Sequence, residues 1–261
     1  MKKMKYLMAL TAVLLAMLVL LTGCGGGESS VSKGLSFTSN GDGTCYVSGI
    51  GTCKDLDVVI PAESPKGDRV TGIGSSAFWH CTGLTSIMIP DGVTSIGPSA
   101  FGGCTGLTSI TIPNSVTSFD FCFPGCSSLT SITILDGVTS ICDNAFLGCS
   151  SLTRITIPDS VTEIGMSAFQ GCSSLVNIVL PDSVTEIGRA AFSDCSSLTS
   201  ITIPDSVTRI DTFAFSRCHN LKSITFTGTI AQWEGIKKGN SWDKETGTYT
   251  IHCTDGDIAQ S

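Results

Sequence analysis

Thirteen cysteines, three histidines and a recurring turn aspartate are the residues of this 261-residue chain with the most obvious capacity for chemistry. Seven of the cysteines fall at Cys81, Cys104, Cys126, Cys149, Cys172, Cys195 and Cys218, at intervals of 23, 22, 23, 23, 23 and 23 residues. Zinc needs thiolates that converge on one point. A residue that recurs once per coil of a stacked chain forms a line instead, with neighbours about 5 Å apart at the strand spacing. A line cannot gather four ligands without breaking the stack, so these seven read as buried structural thiols. Disulfides between adjacent rungs are disfavoured because parallel Cα–Cβ vectors do not face each other. Cys45 and Cys53, outside the column, are the better disulfide candidates. His80 and His219 lie six repeats apart, about 30 Å at the strand spacing, and His252 follows the last repeat. Asp91, Asp136, Asp159, Asp182 and Asp205, with Asn114, form a column at the turn of successive repeats. Calcium takes six to eight oxygens, and one carboxylate per turn fits a turn-former better than an ion ladder. There is no GxSxG, HExxH, phosphate-binding loop or dinucleotide fingerprint. Neither an enzyme nor a cofactor is expected.

The elements that position these residues begin with a leader. The chain opens with Lys2, Lys3 and Lys5, then an apolar run from Tyr6 to Leu21. This is the layout of an export signal, and it is shorter than the roughly 20 residues of a comfortable membrane span. An uncleaved membrane anchor is the alternative. The junction Leu21-Thr22-Gly23-Cys24 resembles the bacterial lipoprotein box, which implies lipidation of Cys24 as the mature N-terminus. More than one acyl chain gives stable anchoring, and the glycines that follow make a flexible tether. The expected address is therefore the outer side of a bacterial membrane, with the lipid as the sole membrane contact. Net charge is −7; without the three leader lysines, 12 basic residues face 22 acidic ones. Nucleic acid is excluded as a partner, because phosphate binding needs a basic stripe. Hydrophobic residues make up 41% and charged residues 14%, enough apolar material for a core.

Between residues 57 and 226 the chain repeats the pattern C-[TS]-[GS]-L-x-x-I-x-[IL]-P-[DN]-[SG]-V-T-x-I-x-x-x-A-F-x-x. In Ser200-Ile201-Thr202-Ile203 the isoleucines alternate with hydroxyls, which predicts a half-buried strand. Pro204-Asp205 turns the chain. Val207 and Ile210 return inward on a second extended piece, and Ala214-Phe215 closes a third side through a short helical turn. One such unit cannot bury its own apolar edge, so neighbours must stack into a solenoid. Residues Thr105 to Cys126 are one short and carry Phe119 and Cys122 off-pattern, which predicts a local distortion. Glu163, Glu186 and Arg209 share a column, where Arg209 beside Glu186 would relieve like-charge repulsion.

This motif resembles the BspA-type, or Treponema pallidum-type, leucine-rich repeat of bacterial surface proteins. The resemblance implies an α/β repeat solenoid of about eight coils. The expected organisation is a signal peptide over 1–23, a lipidated tether over 24–34, an N-terminal cap over 35–56, the solenoid over 57–226 and a C-terminal cap over 227–261. In the cap, Thr229 with Gln232 fits a capping box. The resemblance also implies that the main sheet lines a concave face used for partners. The outward positions there include Met88, Thr111, Thr133, Arg154, Thr156, Asn177, Val179, Thr202 and Thr225. Met88, Arg154, Asn177 and Val179 break a regular Ser/Thr background, although hydroxyls also simply suit a solvent-facing strand. Trp79 breaks its own column, and either anchors a partner or packs under the N-terminal cap. Relatives imply adhesion to host extracellular-matrix or cell-surface proteins, or to bacterial surface proteins. The competing reading is a structural or assembly component of the envelope without a soluble ligand.

Overall fold

The computed structural model describes residues 31–117, 119 and 121–259; the export segment and Cys24 lie outside the described residues. Nine main strands follow one another, one per coil, in parallel register within each of two sheets: Asp57–Val59, Ser86–Met88, Ser109–Ile112, Ser131–Ile134 and Arg154–Thr156 in the first, Asn177–Val179, Ser200–Ile203, Ser223–Phe226 and Thr250–Cys253 in the second. The ninth rung, one more than the eight coils expected, arises because Thr250–Cys253 pairs in parallel with Ser223–Phe226. The result is a β-solenoid of about 23 residues per coil.

One coil shows why the sequence closes this way. In Cys172–Asp194 the inward residues Cys172, Leu175, Ile178, Leu180, Val184, Ile187, Ala191 and Phe192 are all buried. Pro181 ends the main strand, and its carbonyl accepts from the Val184 N–H at 3.0 Å, tightening the corner. Glu186–Ile187 then forms the second strand, stacked between Glu163–Ile164 and Arg209–Ile210. The third side is a run of turns where a short helical turn was expected. The reason lies in the backbone: each coil places a left-handed residue just before its Ala-Phe pair or its equivalent. Ser76, Ser99, Phe121, Asn144, Ser167, Ala190 and Phe213 have φ between 48° and 61°. A right-handed helical turn cannot pass through that region. A second left-handed residue precedes each column cysteine, and Gly103, Gly125, Gly148 and Gly171 fill it without a Cβ penalty.

Three sets of contacts hold rung to rung. Phe78, Phe101, Phe123, Phe146, Phe169, Phe192 and Phe215 form one stack, with centroids 5.2–5.7 Å apart. The column thiols form a second series. Cys172 donates its S–H to the Phe146 carbonyl at 3.3 Å, and Cys195 to Phe169 at 3.2 Å. Cys104, Cys126, Cys149 and Cys218 do the same to the corresponding carbonyls. Cysteine suits this position because it is small, apolar and still a weak donor. Hydroxyls form the third set. Thr85, Thr108, Thr130 and Thr153 each donate to the carbonyl one coil back, at 3.0–3.2 Å. Ser160 and Ser206 do so at the corner, to Val138 and Val184, both at 2.6 Å.

Both ends are covered. Ser36–Ser39 and Thr44–Gly49 form an antiparallel hairpin whose second strand pairs with Arg69–Ile73. Cys45 and Cys53, the disulfide candidates, are free buried thiols; the Cys45 S–H points at the Asp68 carbonyl, 3.6 Å away. At the other end the helix Ile230–Gly235 is opened by a capping box between Thr229 and Gln232. Trp242 meets Phe215 edge-on at 5.9 Å and ends the phenylalanine stack, with Trp233 and Tyr249 behind it. The main-strand column then turns back through Gly256–Ala259, antiparallel to Thr250–Cys253.

In the short repeat, Phe119 is fully buried and makes an isolated bridge to Ile96. It packs edge-on against Phe123 and Phe146. The second-strand sheet is interrupted there, resuming at Ser140–Ile141.

Candidate functional site

The main strands direct alternate residues outward, and register sets them in two files. One file runs Asp57, Ser86, Ser109, Ser131, Arg154, then Asn177, Ser200, Ser223 and Thr250. The other runs Val59, Met88, Thr111, Thr133, Thr156, then Val179, Thr202, Thr225 and His252. Thr111, Thr133, Thr156 and Thr225 are exposed, and Thr202 half-exposed. The structure therefore brings all nine outward residues singled out from the sequence onto one face.

Hydroxyls on this protein fall into two classes that the sequence does not separate. The Thr85, Thr108, Thr130, Thr153 and Thr199 hydroxyls are spent on the preceding coil. Among the described residues, the side-chain hydroxyls of Thr111, Thr133, Thr156, Thr202 and Thr225 make no such bond. They remain available to an external partner. At the N-terminal end, Asp57 accepts from Ser86 at 2.6 Å and Thr85 at 2.7 Å. These bonds, the Ser86 one first, hold its carboxyl below the usual range. At the other end, His252 meets Asp257 at 2.9 Å. Between the two, Arg154 is the one charged residue of the outward files, and it has no hydrogen-bond or ion-pair partner among the described residues.

The main sheet is not continuous. Five strands from Asp57–Val59 to Arg154–Thr156 form one sheet, and Asn177–Val179 begins the next. Val176 directly precedes Asn177 at the seam. It occupies the ladder position of Thr153 and Thr199 without a hydroxyl, so the Thr153 carbonyl receives no side-chain bond from the next coil. Val176 is 42% exposed and Val179 54%. Val176 went unremarked in the sequence; comparison with Thr85, Thr108, Thr130, Thr153 and Thr199 is the signal that finds it.

The other candidates are dispersed. Trp79 is 45% exposed, and its ring lies over Gly102 of the next coil, where a Cβ would collide with it. It also meets the His80 ring edge-on at 4.7 Å. Among the described residues no three His, Cys, Asp or Glu side chains converge as a metal site, and no helix is long and apolar enough to cross a membrane. Burial pushes the column thiols upward, Cys172 and Cys218 to about 12, so they are poor nucleophiles at neutral pH. Arg209 sits in register with Glu186, but its guanidinium pairs with Asp211 at 3.0 Å instead. A shallow groove of about 460 Å³ lies on the turn side, lined by Met166, Arg189, Asp194 and Arg217 among others. Arg217 there is already paired with Asp194 and Glu245.

Comparison with known proteins decides the family. The BspA type leucine rich repeat region matches residues 71–146 and 120–235, in six copies. The chain belongs to the BspA-type leucine-rich repeat family. Repeat solenoids of this family are generally non-enzymatic. A leucine-rich repeat protein of T. pallidum is similar at 30% identity, covering 76% of this chain and 86% of that one, with a TM-score of 0.51. A leucine-rich repeat protein of Bacteroides ovatus is similar at 25% identity, covering 87% and 76%, with a TM-score of 0.55. A search of curated proteins found no match. In this BspA-type chain the repeat supplies the rigid stack, and its outward files supply the chemistry that differs from coil to coil.

Proposed function

We propose that the protein is a cell-surface interaction module. It is exported, anchored through lipidated Cys24, and uses its main-strand face to bind host matrix or bacterial surface proteins. The observation that carries this reading is the division of hydroxyls. Ladder threonines are consumed in stacking, whereas the outward threonines between Thr111 and Thr225 are left unbonded on a preorganised sheet. A rigid face loses little entropy on binding, and solenoids present such extended surfaces naturally. Membership of the BspA-type family supports the protein-interaction role.

The test is binding of the full chain to immobilised extracellular-matrix proteins and to whole bacterial cells, with Thr133→Trp and Thr202→Trp as face-blocking variants. Saturable binding that both variants weaken is the expected result. Binding that neither variant alters refutes the face. Crosslinks confined to the cell's own envelope proteins, with no binding to matrix or to other cells, would mark it as an envelope component.

A further inference from the structure

The seam between Arg154–Thr156 and Asn177–Val179 concentrates what is unusual on the strand face. The two five-stranded sheets meet there, the hydroxyl ladder lapses at Val176, and the unpaired cation of the face stands on one side. On the other side are the Asn177 amide and the exposed Val179. The neighbouring positions of the two outward files are neutral hydroxyls: Ser131 and Thr133 before the seam, Ser200 and Thr202 after it.

We infer that this seam is the specificity element of the binding face, and that it takes an extended peptide carrying a carboxylate beside an aliphatic side chain. This rests on the interaction role proposed above. Arg154 recognises the carboxylate through its fork of donors, and Asn177 offers an amide beside it. Val179 and Val176 supply the apolar contact for the neighbouring side chain. Charge complementarity favours an acidic segment, since the cation here has no internal partner. A polyanionic glycan is disfavoured on two grounds. It needs a basic stripe, whereas the face offers a single arginine. The outward positions from Ser86 to Thr225 also hold no aromatic ring on which a sugar would stack.

The experiment titrates the full chain, solubilised in detergent, with short synthetic peptides bearing Glu next to Leu in a Ser/Gly background. Their Gln counterparts and heparin serve as parallel probes. The Glu peptides should bind at least about tenfold tighter than the Gln peptides, the size of one charge-assisted hydrogen bond. Arg154→Gln should abolish that preference, Val179→Ser should weaken binding several-fold, and Arg189→Gln, off the face, should change neither. No binding of the Glu peptides, equal binding of the Gln peptides, indifference to Arg154→Gln, or heparin binding in place of peptide each overturns the inference. If the peptides fail while a matrix or cell partner is still lost on Thr133→Trp or Thr202→Trp, the seam is wrong and the face stands. If those face variants also leave partner binding intact, both fall.

Discussion

Phe169→Ala tests the mechanical premise of the fold. Phe169 is fully buried, with Phe146 stacked at 5.4 Å on one side and Phe192 at 5.3 Å on the other. Truncating a buried phenylalanine to alanine costs about 3–5 kcal/mol through lost transfer energy and the cavity left behind. Each stacked pair adds about 0.5–1.5 kcal/mol beyond area. Phe78 is the internal control, since it has one stacked neighbour, Phe101 at 5.4 Å. Phe169→Ala should therefore cost about 1 kcal/mol more than Phe78→Ala. In urea, with a slope of about 3 kcal/mol/M, a loss of about 4.5 kcal/mol moves the midpoint by roughly 1.5 M. A central gap also weakens two interfaces of a nearest-neighbour stack. Far-UV circular dichroism should then lose coincidence with the fluorescence of Trp233 and Trp242, both in the C-terminal cap, read in a Trp79→Phe background. A cost below about 2 kcal/mol, or a larger cost at Phe78, would refute the stack as the element that couples the rungs.

Three other outcomes follow from particular contacts. The column thiols have folded pKa values raised above the unfolded 9.0, to about 12 at Cys172 and Cys218, so their stabilisation is complete below pH 9 and is lost as pH rises toward 12. At about pH 10 each forfeits roughly 1.4 kcal/mol. Urea titrations at about pH 8.5 and pH 10 should show the pair Cys172→Ala with Cys218→Ala losing about 2.5 kcal/mol less than the parent over that interval, and equal losses would mean the thiols are not held in an apolar core. Val176→Thr should restore the missing ladder hydroxyl and raise stability by about 0.5–1.5 kcal/mol, with slower amide exchange at the seam. A midpoint unchanged or lowered would show that the ladder hydroxyl adds nothing to stacking there. Cys24→Ala should move the protein from the membrane fraction to the soluble one in the producing cell, and continued membrane association in detergent partitioning would remove the lipid anchor from the proposal.

How much of this was legible follows from which physics repeats. A 23-residue period forces chemically equal residues into columns, and the two-residue strand period then decides which column is inside. Those two rules suffice to read Ile201 and Ile203 as core and Thr202 as surface. They do not reach the third side. There the chain turns through left-handed backbone at Ser76, Ala190 and Phe213, residue types with no preference for that region, so no compositional signal marks it and a helical turn is the natural but mistaken expectation. Nor do they separate Thr153 from Thr156. Both are exposed threonines three residues apart, and only the fold shows that one hydroxyl is tied to Thr130 while the other faces solvent. The same blindness hid Val176. Read alone it is one more β-branched residue beside a strand; set in its column it is, like Lys222, a rung without a hydroxyl. The seam in the main sheet and the exposed Val179 coincide with it. In a protein made of near-identical rungs, the departures are what distinguish one coil from the next. The seam inferred above, on the coils of Arg154 and Asn177, is such a departure, and it lies away from the cysteine column that first draws the eye.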